Sequence, residues 1–401
     1  MKIFLVSPHG FNLVHLLSAL EPEKNEITVI GCPKSAFANG EGNYRFIPLG
    51  NHDECSEFTN VLLADTALLN SLEGFIIYGD DGVLYEIANS SMPTERKLQI
   101  LPVNTVEALS FVGSKKGLAE ISTKYNWKVP NSLVCDSPES LVPTAEKIGY
   151  PLFIKADRGG GGAQVKKILN STALHSEEIP LSWFPLVVQE SIQGHEYCID
   201  LFYWHGELRF YSFTDELKSS EKFGPTYYRK YSLTSDFNVL DSLHDMGRVL
   251  GIHGFVNGTG MFDSYLNTYS IFEMDIRPNA WHFLFNQFGY TFDDLTRDEH
   301  FPGEFPLQPK NLQGFVYVHF ISRHISQLLN QRAWSQFWKL ALSSRTRKSN
   351  HILIDEISFS RYVVIFLAKI VSIALPSRLM SWFRQNGFAY KVYRFLVKIS
   401  A

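Results

Sequence analysis

One strand lysine, four consecutive glycines and a short series of carboxylates are the residues of this chain whose types and spacing point to chemistry. The stretch Tyr150-Pro-Leu-Phe-Ile-Lys-Ala-Asp-Arg-Gly-Gly-Gly-Gly-Ala-Gln-Val165 feeds an apolar run carrying Lys155 directly into Gly159, Gly160, Gly161 and Gly162. Its aromatic and β-branched residues predict a strand over Leu152 to Ala156, with the lysine projecting near the end. Glycines let backbone N–H groups approach a polyphosphate closely, and the charge of Lys155 complements the oxygens. A surface hairpin with a permissive turn is the plainer reading of the same residues. Further on, Asp263, Glu273 and Asp275 lie in Met261-Phe-Asp-Ser and Ser270-Ile-Phe-Glu-Met-Asp-Ile, which read as two strands joined near Asn267 and Thr268. Side chains two apart on a strand share a face, so the three acids can converge. Such oxygen donors suit magnesium on a triphosphate, since magnesium prefers carboxylate, phosphate and water to nitrogen or sulfur. Arg277 follows, with a planar fork that fits a carboxylate or a phosphate.

A third segment, Val187-Val-Gln-Glu-Ser-Ile-Gln-Gly-His-Glu-Tyr-Cys-Ile-Asp200, lies between these two. Together and in this order the three segments resemble the ATP-grasp superfamily, by motif over roughly residues 111–295 and by overall pattern over residues 1–102. The resemblance implies a nucleotide held between two lobes, with Lys155 and Gly159 to Gly162 on the phosphates. It also implies a nucleotide-contacting lysine at the entry to a helical subdomain. Lys115 is the nearest match in Ser110-Phe-Val-Gly-Ser-Lys-Lys-Gly-Leu-Ala-Glu-Ile121, with Lys116 as its neighbour and rival. At the hinge, Gln189 takes the place of the side chain facing the adenine amino group, and Glu190 and Ile192 supply the backbone donor and acceptor. A slip by one residue would make Glu190 the side chain that matters. Glu196 takes the place of the ribose-binding carboxylate, or else is a surface charge.

The family's metal pattern is an acid, a gap, then E-x-N-x-R. Here it reads E-M-D-I-R, so Asp275 replaces the usual amide, and the hairpin between the acids is short. The implied cofactors are ATP and Mg2+, two ions, with Mn2+ able to substitute. The implied reaction is carbon–nitrogen ligation of a small carboxylate and an amine through an acyl phosphate, with Arg277 and Lys155 stabilising charge on the migrating phosphoryl group. An ATP-dependent phosphotransferase and a non-catalytic nucleotide-binding scaffold are the alternatives. Asn279 and His282, just past Arg277, are placed either to touch substrate or to be buried as structure.

These residues need elements to position them. Over residues 1–102, Ile3 to Ser7, Phe11 to Leu20, Ile27 to Ile30 and Gly74 to Tyr78 alternate strand and helix patterns, the rhythm of a parallel, Rossmann-like sheet. Pro8-His-Gly-Phe-Asn after the first strand lacks the G-x-G-x-x-G spacing, which excludes a dinucleotide site there. Gly10 and Asp80-Asp-Gly82 fall at strand C-terminal ends, where open α/β sheets bind ligands and where ordinary turn formers also sit. Ser114 can cap a helix carrying Leu118 and Ile121. The expected fold is α/β and α+β: a Rossmann-like domain over 1–105, an ATP-grasp domain over 106–300 with lobes at about 115–190 and 191–300, and a helical, basic C-terminal extension over 301–401.

A chain of 401 residues with 45% hydrophobic content supports well-formed cores, and a net charge of −4 gives no case for a nucleic-acid partner. Cys32, Cys55, Cys135 and Cys198 lack metal-ligand spacing and read as reduced thiols of a cytoplasmic chain. The region after Arg345 is basic. Its apolar run from Tyr362 to Leu375 is shorter than the ~20 residues of a spanning helix and contains Lys369. Leu379 to Ile399 interleaves apolar residues with Arg384, Lys391, Arg394 and Lys398, a pattern that lies on an anionic membrane surface or packs as a helical pair on the body or in a homodimer.

Overall fold

The structure, a computed structural model, describes residues 1–38, 42–50, 54–159, 162, 164–219, 226–233, 239–298, 306–310, 315–331, 333–343 and 351–354. The chain divides into two compact units, Met1–Asp215 with Ser232–Gly314, and Glu216–Tyr231 with Phe315–Ala401.

The first unit opens with β1 (Lys2–Val6), α1 (Val14–Ala19), β2 (Glu26–Gly31), β3 (Arg45–Pro48), α2 (Cys55–Ala64), α3 (Thr66–Ser71), β4 (Phe75–Tyr78), α4 (Asp81–Asn89) and α5 (Thr94–Ile100). The four strands pair in parallel in the order β3-β2-β1-β4. Strands such as FIIY are buried along their whole length, as expected of a parallel sheet covered on both faces. Strand order reverses between β1 and β4, which opens a ligand crevice outside their carboxyl ends. Gly10 follows β1 there, and Asp80 and Asp81 follow β4.

Next come α6 (Lys115–Tyr125), β5 (Ser132–Cys135), α7 (Pro138–Ile148), β6 (Leu152–Ala156), β7 (Val165–Ile168), α8 (Ser171–Ser176) and β8 (Leu186–Glu190). They form an antiparallel sheet ordered β5-β8-β6-β7, whose Leu152, Ile154, Leu186 and Val188 pack with Leu141 and Ala145 of α7. Alternation along β6 and β8 puts these residues on the helix side and leaves Lys155 and Gln189 on the opposite face.

The third layer is built from β9 (Gly194–Trp204), β10 (Glu207–Ser219), α9 (Leu240–Leu250), β12 (Gly254–Asp263), β13 (Thr268–Asp275), α10 (Leu284–Gln287) and α11 (Phe292–Thr296), while the intervening β11 (Thr226–Ser232) belongs, but for its last residue, to the second unit. Strands β13-β12-β9-β10 run antiparallel. One face of this sheet carries Tyr197, Ile199, Leu201, Val256, Ile271 and Met274 into the core.

In the second unit β14 (Phe315–Phe320) leads into α12 (Ile321–Asn330), α13 (Trp334–Ser343) and β15 (His351–Ile354), and β14 pairs in parallel with β15. The helices pack through Ile325, Leu328, Phe337 and Leu340. The extension is therefore helical only in part: FVYVHF and HILI carry the β-branched and aromatic residues of strands, and period two wins there over the helical period of the residues around them. Gly160, Gly161 and the tail segments 362–375 and 379–399 lie outside the described residues. Among the described residues, no helix is long and apolar enough to cross a membrane.

Candidate active site

Lys155 stands at the centre of the site, buried to 7% exposure on β6. Its Nζ donates to Gln189 Oε1 at 2.8 Å, a diagonal contact across the β6–β8 pair, and lies 4.4 Å from the centroid of the Phe272 ring. Gln189 Nε2 donates in turn to Ser132 Oγ at 2.9 Å. Burial lowers the Lys155 ammonium to about 8; Glu273 and Glu196 oppose the shift, and Lys115 adds to it. The lysine thus has an amide and a ring beside it where an ion pair would be expected.

Lys115 opens α6. Ser114 Oγ caps that helix by accepting from Gly117 N–H at 2.9 Å, and Asp157 accepts from Ser114 Oγ at 2.7 Å and from Lys116 N–H at 2.8 Å. So placed, Lys115 Nζ donates to Gly159 O at 2.7 Å and stands 3.8 Å from Glu273 Oε1. Lys116 points away, toward Glu120 and Asp136 at 3.8 and 3.6 Å. Of the two lysines, Lys115 is the one in the site, and it lines a small cavity with Lys155, Gln189, Leu118, Ile271 and Phe272. Gly159 has φ +117°, and a Cβ there would lie 2.3 Å from Gln164 Oε1, so this position requires glycine. Gly162 also has positive φ.

The hinge resolves by strand alternation. Gln189 faces the cavity, whereas Glu190 turns outward and its Oε1 accepts from Asn131 N–H at 2.8 Å. Ile192 is half-buried just past β8, and Glu196 is exposed on β9, near enough to act on Lys155.

Strands β9, β12 and β13 set the acids in rows. One row is Asp200, Asn257 and Asp275, the next is Cys198, Thr259 and Glu273, and Asp263 comes two rows further on, beside Gly194 and Thr268. Glu273 and Asp275 are brought together. Asp263 is not: it lies four residues along β12 from Thr259, roughly 13 Å at the rise of a strand. Its Oδ1 accepts from the N–H groups of Tyr265 and Leu266 at 2.8 and 2.9 Å, so it shapes the turn. The reason is register, which spacing in sequence does not reveal for acids on different strands. Phe272 is an extra residue in β13, since Thr259 faces Glu273 while Gly260 faces Ile271. A Cβ on Gly260 would meet Ser270 O and the Tyr197 ring at 2.3 Å, so its absence lets this bulge close. Among the described residues, no three His, Cys, Asp or Glu converge as a metal cage.

Arg277 reaches the Rossmann-like sheet. Its Nε donates to Asp81 Oδ2 at 2.6 Å, its Nη2 contacts Asp81 and also Asp275 Oδ2 at 3.0 Å, and its Nη1 donates to Pro278 O at 3.3 Å. Burial works against the Arg277 charge, but Asp81 and Asp275 outweigh it and hold the guanidinium protonated well beyond its usual range. Burial pushes Asp275 up to about 7, Asp81 and Glu273 act in the same direction, and Arg277 opposes them. Asn257 donates to Asp275 at 3.2 Å, and Asn279 donates to Asp200 at 3.0 Å and to Asn257 at 2.6 Å. His282 is tied to Asn279 Oδ1 and to Val256 O, each at 2.9 Å. Asn279 and His282 therefore brace the row of acids. In the crevice, Ser7 Oγ donates to Asp80 at 2.5 Å, and burial raises the Asp80 carboxyl. Sequence reading missed Asp157, Phe272 and Asn257 as parts of the site, although Asp157 follows Lys155 by two and Phe272 precedes Glu273. Asp81 had one signal, its place at the end of a strand.

No family model matches the chain. Over 74 residues it is 34% identical to the alpha-aminoadipate–LysW ligase LysX of Sulfolobus acidocaldarius, which is 18% of this chain and 27% of that protein. The chain thus matches about a quarter of the length of this curated relative. The ADP complex of purK, an N5-carboxyaminoimidazole ribonucleotide synthetase, has a TM-score of 0.59 and 14% identity, over 83% of this chain and 85% of that one. The N5-carboxyaminoimidazole synthetase of Staphylococcus aureus complexed with ADP has a TM-score of 0.56 and 14% identity, over 92% and 96% of the two chains. With its parallel sheet followed by two antiparallel sheets about one cavity, the chain has the ATP-grasp fold.

Proposed function

We propose that this protein is an ATP-dependent ligase that joins a carboxylate to an amine through an acyl phosphate, releasing ADP and phosphate. The observation that carries the reading is the meeting of Lys115 and Lys155, from two separate elements, at one cavity walled by Gln189 and Phe272, with Glu273 of a third element 3.8 Å from the Lys115 ammonium. The names of the matched proteins support it, since the relative is a ligase and the two solved structures are synthetases with ADP bound.

In this mechanism Phe272, Val187 and Ile271 offer the apolar walls for a base, and Gln189 offers an amide. Lys155 and Lys115 meet the phosphates. Gly159, whose carbonyl now accepts from Lys115, presents backbone close to them. Glu273 and Asp275 are hard oxygen donors on one strand face, which fits a magnesium ion, and such an ion would draw electron density from the phosphate oxygens. No covalent enzyme nucleophile is required. Arg277 sits where the nucleotide-side acids meet the crevice of the Rossmann-like sheet, and it would neutralise the substrate carboxylate and then the acyl phosphate once that group competes with Asp81. A contact between the basic tail and anionic membrane rests on the tail's sequence alone.

The test is ADP release with ATP, Mg2+ and a panel of small acids, with and without amines, read by mass spectrometry of the products. Release that needs both acid and amine, with a condensed product, is the expected result. Release with acid alone would make the protein a phosphotransferase that stops at a stable phosphate product, and none with any pair would leave a nucleotide-binding scaffold.

A further inference from the structure

We infer that Ser132 sets the base preference of this site: it is a positioning residue that locks the Gln189 amide with its oxygen toward the cavity, so that the cavity takes a base with an exocyclic amino group and refuses one with an oxo group there. The inference rests on the ATP-dependent reading above and deepens it. Ser132 and Gln189 face each other directly across β5 and β8. Ser132 Oγ donates to Pro130 O at 2.8 Å, and a main-chain carbonyl can only accept. With its one proton spent there, the hydroxyl offers Gln189 a lone pair and nothing else. Gln189 Nε2 accordingly donates to Ser132 Oγ, at 2.9 Å, and Oε1 is turned the other way. At that end the Lys155 ammonium donates to it at 2.8 Å. Every proton in the series from Lys155 through Gln189 and Ser132 to Pro130 points in one direction, and the fixed end is backbone.

Lys155 is the movable end. Under the ATP-dependent reading a phosphate takes its ammonium, and the amide then keeps its direction through Ser132 alone. Gln189 is 7% exposed, so its oxygen would be left buried in the cavity wall without a donor, which is costly. The amino group of adenine supplies that donor. An oxo group in the same place sets oxygen against oxygen, and a wall built to hydrogen-bond one group rejects its mismatch strongly. The remaining polar side chains of the wall are engaged elsewhere: Ser122 Oγ donates to Ala119 O at 3.2 Å, and Lys115 Nζ donates to Gly159 O at 2.7 Å. Among the described residues no carboxylate lines the cavity, so no acid overrides the direction of the amide. In Ser132→Ala the amide is free to turn over once Lys155 has left, and it then meets an oxo group with Nε2 as readily as an amino group with Oε1.

Calorimetric titration of the full chain with ATP and with inosine triphosphate, each with Mg2+, tests this through the ratio of the two affinities. The unaltered protein should bind ATP about tenfold or more tighter, and Ser132→Ala should bring the two within about threefold of each other. Ser132→Thr, which keeps the hydroxyl, should keep the ratio. Adding Gln189→Glu to Ser132→Ala should restore it, because a carboxylate presents oxygen whichever way it lies. A hydroxyl that only packs predicts equal losses for both nucleotides and a ratio that stays put. That result, or equal or tighter binding of inosine triphosphate by the unaltered protein, would overturn the inference and leave the nucleotide-dependent reading intact. Binding of neither nucleotide would sink both.

Discussion

Lys155 and Arg277 are both buried cations of one site, yet Lys155 faces an amide and an aromatic ring while Arg277 faces two carboxylates. The outcomes are opposite. Burial drags the lysine down to about 8, whereas the arginine is held charged despite its burial. The difference separates two ways of preparing for an anion. The Lys155 side is under-compensated and, under the proposed reading, would gain when a nucleotide's phosphate arrives. The Arg277 side is satisfied, so any substrate carboxylate must compete with Asp81.

Substitution at the two cations is the strongest way to break this comparison. Lys155→Met should weaken nucleotide binding by on the order of 100-fold, as loss of a charged contact worth about 1.5–3 kcal/mol implies, without lowering thermal stability. Arg277→Met should leave nucleotide affinity within about threefold but cost about 2–3 kcal/mol of stability, because Asp81 and Asp275 lose their partner and Asp81 is only partly shielded from solvent. Calorimetric titration and urea denaturation read the two effects, and the reverse pattern would dissolve the distinction.

Protonation sharpens it. Above pH 8 the free protein holds Lys155 largely neutral, and phosphate beside it favours the charged form, so nucleotide binding at pH 8.5 should take up a proton and binding at pH 6.5 should not. Affinity should fall by up to about tenfold per pH unit beyond that point. Titrations at pH 8.5 in buffers of different ionisation heat measure the uptake, and heats independent of buffer would count against an under-compensated Lys155.

The smallest effect concerns a third buried base. His253 packs 4.3 Å from the Trp204 ring and beside Phe75, and burial, helped by His205, lowers it to about 4. Like Lys155 it has aromatic neighbours. The unfolded chain binds this proton near pH 6.5 and the folded chain does not, so its contribution is complete above that value and is lost as pH falls toward 4. Melting temperatures at pH 7.5 and 5.0 should differ less in His253→Phe than in the unaltered protein.

What could be seen in the sequence was what is local. A lysine on a strand running into glycines, and Glu273, Asp275 and Arg277 in one short run, keep their relation in the structure because neighbours in a strand have fixed relative directions. Which of Gln189 and Glu190 faces the cavity needed only the phase of β8, and which of Lys115 and Lys116 lines it only the cap at Ser114. Asp263 misled because its relation to Glu273 passes through a turn and a bulge. The Asp81–Arg277 pair joins residues 196 positions apart, a contact set by how two sheets pack and by nothing in either segment. The strands of the C-terminal unit were hidden by the helices between them.

The extra residue in β13 has an effect on what this site can become. Because Phe272 has no partner on β12, its ring can be exchanged for another without shifting Glu273 or Asp275 out of step with their neighbours. Under the proposed reading, the surface offered to a base and the acids offered to the phosphates would thereby be inherited as separate traits. A lineage, or an engineer, would then retune preference among nucleotides at that one codon while the phosphate end stays as it is.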